Sequence, residues 1–331
     1  DYSTIAAAVS DLNTRPVIGQ VIFNIRTGTY SEQISISTIY GVSATNRVTF
    51  QPDDTASVTI TFEPTSSNNY IVQFDDADYV TFRNLTFTAT GASYGKVFDL
   101  KNESHYITLD GNTLNGISTT STNANLAVIY SASGTANDGF TITNNTINDG
   151  SYGIYSYGTS TSNLDAENEI SYNTIQDFHY EGICLYYFDS VQVYSNSISS
   201  KSLGGYGTQY GIYSVYCDNG SMFSKNIIRV NATGSNYGVY LYYCDGTIGN
   251  ENQFVNNFIS THNSTSTSYG VYINTCSYLN LYHNNVNITD GNTSSSAIYN
   301  YNGSNITLQN NIFANTKTSG GYSIYTNSTS N

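Results

Sequence analysis

Apolar residues alternate with polar ones over runs too short for a helix, and the runs break at clusters of Asn, Gly and Ser. In one such stretch Phe140-Thr141-Ile142 leads through Asn144-Asn145-Thr146 to Ile147. Alternation with period two, interrupted by turn-forming residues, reads as strand, turn, strand. The runs also repeat. The tetrad Tyr152-Gly153-Ile154-Tyr155 returns as Tyr210-Gly211-Ile212-Tyr213, Tyr237-Gly238-Val239-Tyr240 and Tyr269-Gly270-Val271-Tyr272. Weaker copies stand at Glu181-Gly182-Ile183-Cys184, Ser296-Ala297-Ile298-Tyr299 and Tyr322-Ser323-Ile324-Tyr325. Each is accompanied by an Asn-x-Ile unit, whose Asn column reads Asn112, Asn145, Asn173, Asn196, Asn226, Asn257, Asn284 and Asn310. The mean spacing is about 28 residues, a length that carries two or three short strands per repeat.

A leucine-rich horseshoe would have a shorter, Leu-dense repeat, and a propeller blade a longer one. The spacing predicts an all-β, right-handed parallel β-helix, a solenoid of about ten coils. The repeated Asn suits that fold, because Asn tolerates the left-handed backbone of a tight bend. Its amide can also bond to the same amide one coil away, pairing groups that burial would otherwise strand. Ahead of the coils, Ser3 or Thr4 precedes Ile5, Ala8, Val9 and Leu12, one face of a short helix. The expected organisation is an N-terminal cap over 1–38, made of that helix and the first strands, followed by coils over 39–331. The stretch 327–331 is polar and offers no cap, which suggests that the native chain continues or docks there.

Composition narrows the function classes. Charged residues are only 10% of the 331, far below the usual quarter. Even so, the 32 Tyr and 14 Phe supply what a disordered chain lacks. The net charge is −14, and the ten Lys and Arg are scattered rather than striped. A nucleic-acid partner is therefore not expected, nor is membrane insertion. A start at Asp1 rather than Met reads as a secreted chain after removal of its leader. The eleven N-x-S/T sequons are no more than this Asn content produces by chance.

The opening Asp1-Tyr2-Ser3-Thr4-Ile5 and the segment Val21-Ile22-Phe23-Asn24-Ile25-Arg26-Thr27-Gly28-Thr29-Tyr30 resemble the start of pectin-lyase-like β-helix proteins exported by bacteria. The body is similar to their repeats, which occur in polysaccharide lyases, glycoside hydrolases, phage tailspikes and surface adhesins. The resemblance implies the fold over nearly the whole chain and leaves the activity open. Polygalacturonase-like members carry Asn-Thr-Asp, Asp-Asp, Gly-His-Gly and Arg-x-Lys signatures in successive coils. Here Asp53-Asp54 and Asp75-Asp76 occur without Gly-His-Gly or Arg-x-Lys. The four His, at 105, 179, 262 and 283, are not spaced to share a site, and Lys201, Lys225 and Arg229 stand alone. The carboxylates Asp165, Glu167, Glu169, Asp177 and Glu181 fall within one coil, where a paired-carboxylate hydrolase would place its acid and base. A solvated acidic edge has the same composition. The expectation leans away from catalysis and names no catalytic residue.

Aligning coils on the tetrad Gly gives further columns. Phe188, Cys217, Cys244 and Cys276 share one, with Cys184 in another. That column is a buried thiol ladder, one disulfide between neighbouring coils, or a metal site. The next reads Asp189, Asp218, Asp245 and Ser277. Either each Asp caps its own turn, or a cation such as calcium relieves their repulsion; no other cofactor is expected. Tyr130, Tyr155, Tyr213, Tyr240, Tyr272, Tyr299 and Tyr325 form a column broken by Cys184, with Tyr157, Tyr186, Tyr242 and Tyr301 two residues on. If Ile154 and its equivalents point inward, both columns point outward. Such a face suits sugar stacking or packing against a partner; the alternative is an interior aromatic stack. The sequence thus reads as an extracellular structural or adhesive solenoid. Its face, with Tyr155, Tyr213, Tyr240, Tyr272 and Tyr299 at the centre, would hold polysaccharide or other copies of the chain. The rival reading is a polysaccharide lyase or glycoside hydrolase with an unusual site.

Overall fold

The computed structural model describes residues 1–201, 207–317 and 320–327. The chain winds into a parallel β-solenoid of three sheets, each with eleven strands in sequential order, one strand per sheet per coil. Every pairing between successive strands is parallel. The first sheet begins with Val21–Ile25, Val48–Pro52 and Val80–Arg83, and the second with Gly28–Ser31, Val58–Phe62 and Thr86–Ala89. The third begins with Ile34–Ile36, Val72–Asp75 and Phe98–Lys101. Among the described residues the coils number eleven, in line with the expected solenoid of about ten. Val21–Ile25 pairs directly with Val48–Pro52, so the strands expected in the cap already form the first coil. The sheets run without interruption across the expected boundary between residues 38 and 39.

One inward column from each sheet fills the core. In the first sheet it runs Phe23, Phe50, Phe82, Leu109, Ile142, Ile170, and the Phe23, Phe50 and Phe82 rings stack 4.8 and 4.7 Å apart. In the second it runs Ile60, Phe87, Leu114, Ile147, Ile175, Ile198, all fully buried. Identical positions stack because a parallel register holds each side chain about 4.8 Å above its equivalent. At the N-terminal end, helix Ile5–Leu12 buries Ile5, Ala8, Val9 and Leu12 over the first coil. Thr4 caps it by accepting from the Ala7 N–H at 3.0 Å. In the last coil the inward residues Leu308 and Ile324 are exposed. Of the polar stretch 327–331, positions 328–331 lie outside the described residues. Among the described residues no helix is long and apolar enough to cross a membrane.

The recurring Asn is an internal ladder. Each Oδ1 accepts both the backbone N–H and the side-chain Nδ2 of the Asn one coil earlier, at 2.9–3.1 Å, from Asn112 through Asn145, Asn173, Asn196, Asn226, Asn257 and Asn284. The last rung is Asn311, not Asn310. Asn310 is instead the left-handed residue of the bend, with φ 55°. The two duties expected of one Asn are divided between neighbours. Asn144, Tyr172, Ser195, Lys225, Asn256 and His283 take the left-handed backbone, and the residue after each forms the ladder.

The tetrad has an equally local cause. A Cβ at Gly153 would lie 2.5 Å from Ile175 Cγ2 and 2.7 Å from the Gly182 carbonyl oxygen, so this position faces the core with no room for a side chain. Ile154 faces the core as well. Two consecutive inward residues break the alternation and turn both flanking tyrosines to the outside. Gly182 is confined in the same way, 2.6 Å from Ile198 Cγ2 and from the Gly211 oxygen. Gly182→Ala should therefore lower stability by about 1–3 kcal/mol through overpacking, read as the shift in a urea midpoint. An unchanged midpoint would show that the coil widens there at no cost.

Candidate functional site

The third sheet carries the tyrosines on its outer face. Ile154, Ile183, Ile212, Val239 and Val271 are completely buried, whereas the Tyr column beside them is half-buried at the surface, so the interior-stack alternative is set aside. Tyr130, Tyr155, Cys184, Tyr213, Tyr240, Tyr272, Tyr299 and Tyr325 pair in register, coil upon coil. Their rings stack at 4.8–5.2 Å with interplanar angles of 7–17°. The first tyrosine of each tetrad adds a further column, Tyr152, Tyr210, Tyr237, Tyr269 and Tyr322, interrupted by Glu181 and Ser296. Most of these rings meet the first column edge-on, Tyr152 on Tyr155 at 5.0 Å and Tyr269 on Tyr272 at 4.9 Å. Edge-to-face and offset contacts of this kind are each worth about 0.5–1.5 kcal/mol beyond simple burial.

This geometry corrects the expectation of sugar stacking. The flat ring faces are occupied by other tyrosines, so the surface offers ring edges and phenol hydroxyls. The hydroxyls of Tyr155, Tyr272 and Tyr299 have no hydrogen-bond partner in the protein, whereas Tyr240 accepts from Asn274 Nδ2 at 2.8 Å. Burial raises the phenol pKa values of Tyr237, to about 12, and of Tyr240 and Tyr269. All three therefore stay neutral across the physiological range.

Two more columns border these. Tyr157, Tyr186, Tyr242 and Tyr301 lie two residues on as expected, with Val215 and Asn274 in the gaps. Tyr187, Tyr216 and Tyr243 form a column not foreseen from the sequence, held at left-handed φ of 67°, 51° and 50° and stacked at 5.4 and 5.2 Å. Each stands five residues after its tetrad Gly, so the alignment that found the cysteines also contained this signal.

The face has a distinct end and a distinct centre. At the N-terminal end its column continues into Asp99 and Gln73. There Lys96 Nζ sits 3.2 Å from the Tyr130 ring centroid and 3.0 Å from Asp99 Oδ1. At the centre, Glu181 and Cys184 fill the gaps in adjoining columns, walled by Tyr152, Tyr155, Tyr210 and Tyr213. Burial drives the Glu181 carboxyl up to about 8 and raises the Cys184 thiol, and Glu181 Oε2 has no hydrogen-bond partner.

Cys217, Cys244 and Cys276 stack as buried free thiols, with the Cys244 N–H donating to Cys276 Sγ at 3.4 Å, and Cys184 is also free. In the Asp column, each carboxylate bonds groups of the next coil. Asp189 accepts from Asn219 Nδ2 at 2.6 Å, Asp218 from the Asp245 N–H at 2.7 Å, and Asp245 from the Ser277 N–H at 2.7 Å. Burial raises the Asp218 carboxyl to about 7. Among the described residues no three His, Cys, Asp or Glu converge as a metal site would require.

The carboxylates that share a coil in sequence do not share a place. Asp165 is buried, accepting from the Asn137 and Thr159 N–H groups, and Glu169 lies on the first sheet, accepting from the Tyr194 hydroxyl. Asp177 belongs to a strand of the second sheet and Glu181 to one of the third. The acid/base pair of a hydrolase is not assembled from them.

Fold and face together define a parallel β-solenoid with one tyrosine-clad sheet. No protein-family model matches the chain, and no curated protein matches it in sequence. Among solved structures it is similar to PfbA, a surface adhesin of Streptococcus pneumoniae, with a TM-score of 0.57 and 14% identity over 97% of this chain and 88% of that one. It is also similar to the periplasmic alginate epimerase AlgG, with a TM-score of 0.52 and 12% identity over 97% and 83%. At these identities the likeness establishes the β-helix fold.

Proposed function

We propose that this chain is an extracellular, non-catalytic adhesive solenoid that holds an uncharged glycan on the tyrosine face of its third sheet. The observation that carries the reading is the in-register array of outward phenols at about 5 Å intervals. Each free hydroxyl both donates and accepts, which matches the chemistry of a sugar hydroxyl. The rings are already fixed by their neighbours, so little side-chain entropy remains to be lost on binding. Charge favours a neutral chain, since Asp189, Asp218 and Asp245 run alongside and Lys96 is engaged by Asp99. Likeness of fold to a surface adhesin is consistent with the location, and likeness to an alginate epimerase with polysaccharide as the broad class of ligand. The dispersed carboxylates favour adhesion over hydrolysis.

Removing only the hydroxyls tests this. The triple variant Tyr155→Phe, Tyr272→Phe, Tyr299→Phe keeps the ring stack and should melt within a few degrees of the parent. Its retention on an array of neutral glycans should fall at least tenfold. Unchanged retention, or a parent that binds no glycan but sediments as a polymer, would replace this reading with self-association.

A further inference from the structure

The second sheet presents a different outer face. Thr29, Thr59, Thr86, Thr113, Thr146, Thr174 and Ser197 pair in one unbroken column over seven coils. Two residues along each strand runs a parallel row: Ser31, Thr61, Thr88, Asn115, Asn148, Gln176 and Ser199. None of the seven hydroxyls in the first column makes a hydrogen bond within the protein. The second row is tied together, with Asn115 Nδ2 donating to Thr88 Oγ1, Asn148 to Asn115 and Gln176 to Asn148 at 2.8–3.1 Å. Through these seven strands the only charged side chain is Asp177.

Threonine is common on outward strand positions, but the first sheet shows how such a column looks when it is only structural. There Thr49, Thr81, Thr108 and Thr141 give way to Glu169, Gln192 and Met222. Two of those threonines are moreover bound by Arg47, Thr108 at 2.9 Å and Thr81 at 3.4 Å. The second-sheet column keeps one hydroxyl in place for seven coils and leaves it unbound. It then ends abruptly in the exposed Ile227 and Phe258.

We propose that this hydroxyl face binds the surface of ice. A single free hydroxyl repeated every ~4.8 Å along the axis is a regular row, bordered ~6.6 Å away by a second row of uncharged polar side chains. A long row of one group recognises a periodic surface, because it offers no pocket with a varied set of contacts to select a single small molecule. Ice presents oxygens on the same few-ångström scale, each able to bond a hydroxyl. β-Branched Thr is stiff at χ1, so the hydroxyls hold a common orientation, and the γ-methyls between them do not compete for water. A crystalline polysaccharide is the rival surface, but aromatic platforms for it are missing from these seven strands on the outward side.

The test is incorporation of fluorescently labelled protein into a slowly grown polycrystalline ice hemisphere, alongside retention on microcrystalline cellulose. The parent should be incorporated into ice, and Thr86→Tyr/Thr146→Tyr should lose at least tenfold of that signal with its melting temperature preserved. Asn280→Tyr, on the outer face of the first sheet, should behave like the parent. Exclusion of the parent from ice, or equal incorporation of the double variant, would overturn the proposal, and cellulose retention lost in that variant would assign the face to polysaccharide. The phenylalanine variant of the third sheet should bind ice normally, which separates this face from the glycan reading.

Discussion

Replacing Asn226 by leucine should destabilise the protein by roughly 3 kcal/mol or more, because it strands several buried polar groups at about 1–3 kcal/mol each. The Asn226 Oδ1 accepts from the Asn196 N–H and Nδ2, each at 3.0 Å, and its Nδ2 donates to the Val193 carbonyl at 2.9 Å and to Asn257 at 3.1 Å. Leucine fills the volume and satisfies none of them. The rung lies mid-ladder, where each amide polarises the next, so the loss should exceed that at the end rung Asn311, which is partly exposed. Equilibrium denaturation of both variants gives the comparison. A loss below 1 kcal/mol at Asn226 would mean that water enters the ladder and replaces the missing amide.

Stability should also fall steadily as pH rises from about 5 to 8, and Glu181→Gln should remove roughly half of that slope below pH 7 and most of it between 7 and 8. The buried carboxyl keeps its proton to about pH 8, whereas in the unfolded chain it releases it near the usual 4.5. Between those values the folded state binds the extra proton, so the sign is destabilising with rising pH. Each such group contributes at most about 1.4 kcal/mol per pH unit. Below about 4.5 both states are protonated and the contribution is complete; it is lost as the pH passes through 8. Asp218, raised to about 7, has the same sign and leaves the variant with a slope of similar size that ends near pH 7. Denaturant midpoints at pH 5, 6.5 and 8 for the parent and Glu181→Gln decide it. Parallel lines for the two proteins would show that the Glu181 charge is relieved by water rather than excluded.

The core and its ladder were legible because a parallel stack writes the same residue type into the sequence once per coil, as Ile142, Ile170 and Val193 do. What escaped was whatever broke the period. The first coil has neither tetrad nor Asn-x-Ile unit, so Val21–Ser31 read as cap. Asn310 was taken for Asn311 because a left-handed Asn and a ladder Asn often stand side by side, as in Asn144-Asn145. Alternation counted outward from Ile154 places Tyr152 inside; the inward Gly153 reverses that parity, and with it a whole column of the tyrosine face. Cys184 read as a break in one tyrosine column and Glu181 as one of five carboxylates in a coil, and only the register shows that Glu181 also interrupts a tyrosine column. The free hydroxyls from Thr29 to Ser197 were present as ordinary strand residues. Their significance depends on the absence of partners, which no single strand reveals.

The way the sheets are strung has a mechanical meaning. Every interstrand hydrogen bond points along the solenoid axis and joins a coil only to its two neighbours. A pull on the two ends therefore acts on one coil at a time, as a zipper does, rather than shearing all the bonds of a sheet together. Each coil that peels away exchanges a rise of about 4.8 Å for roughly 90 Å of extended chain. A solenoid of this kind yields under load by lengthening in steps, dissipating work with each one, while the coils still wound keep their faces intact.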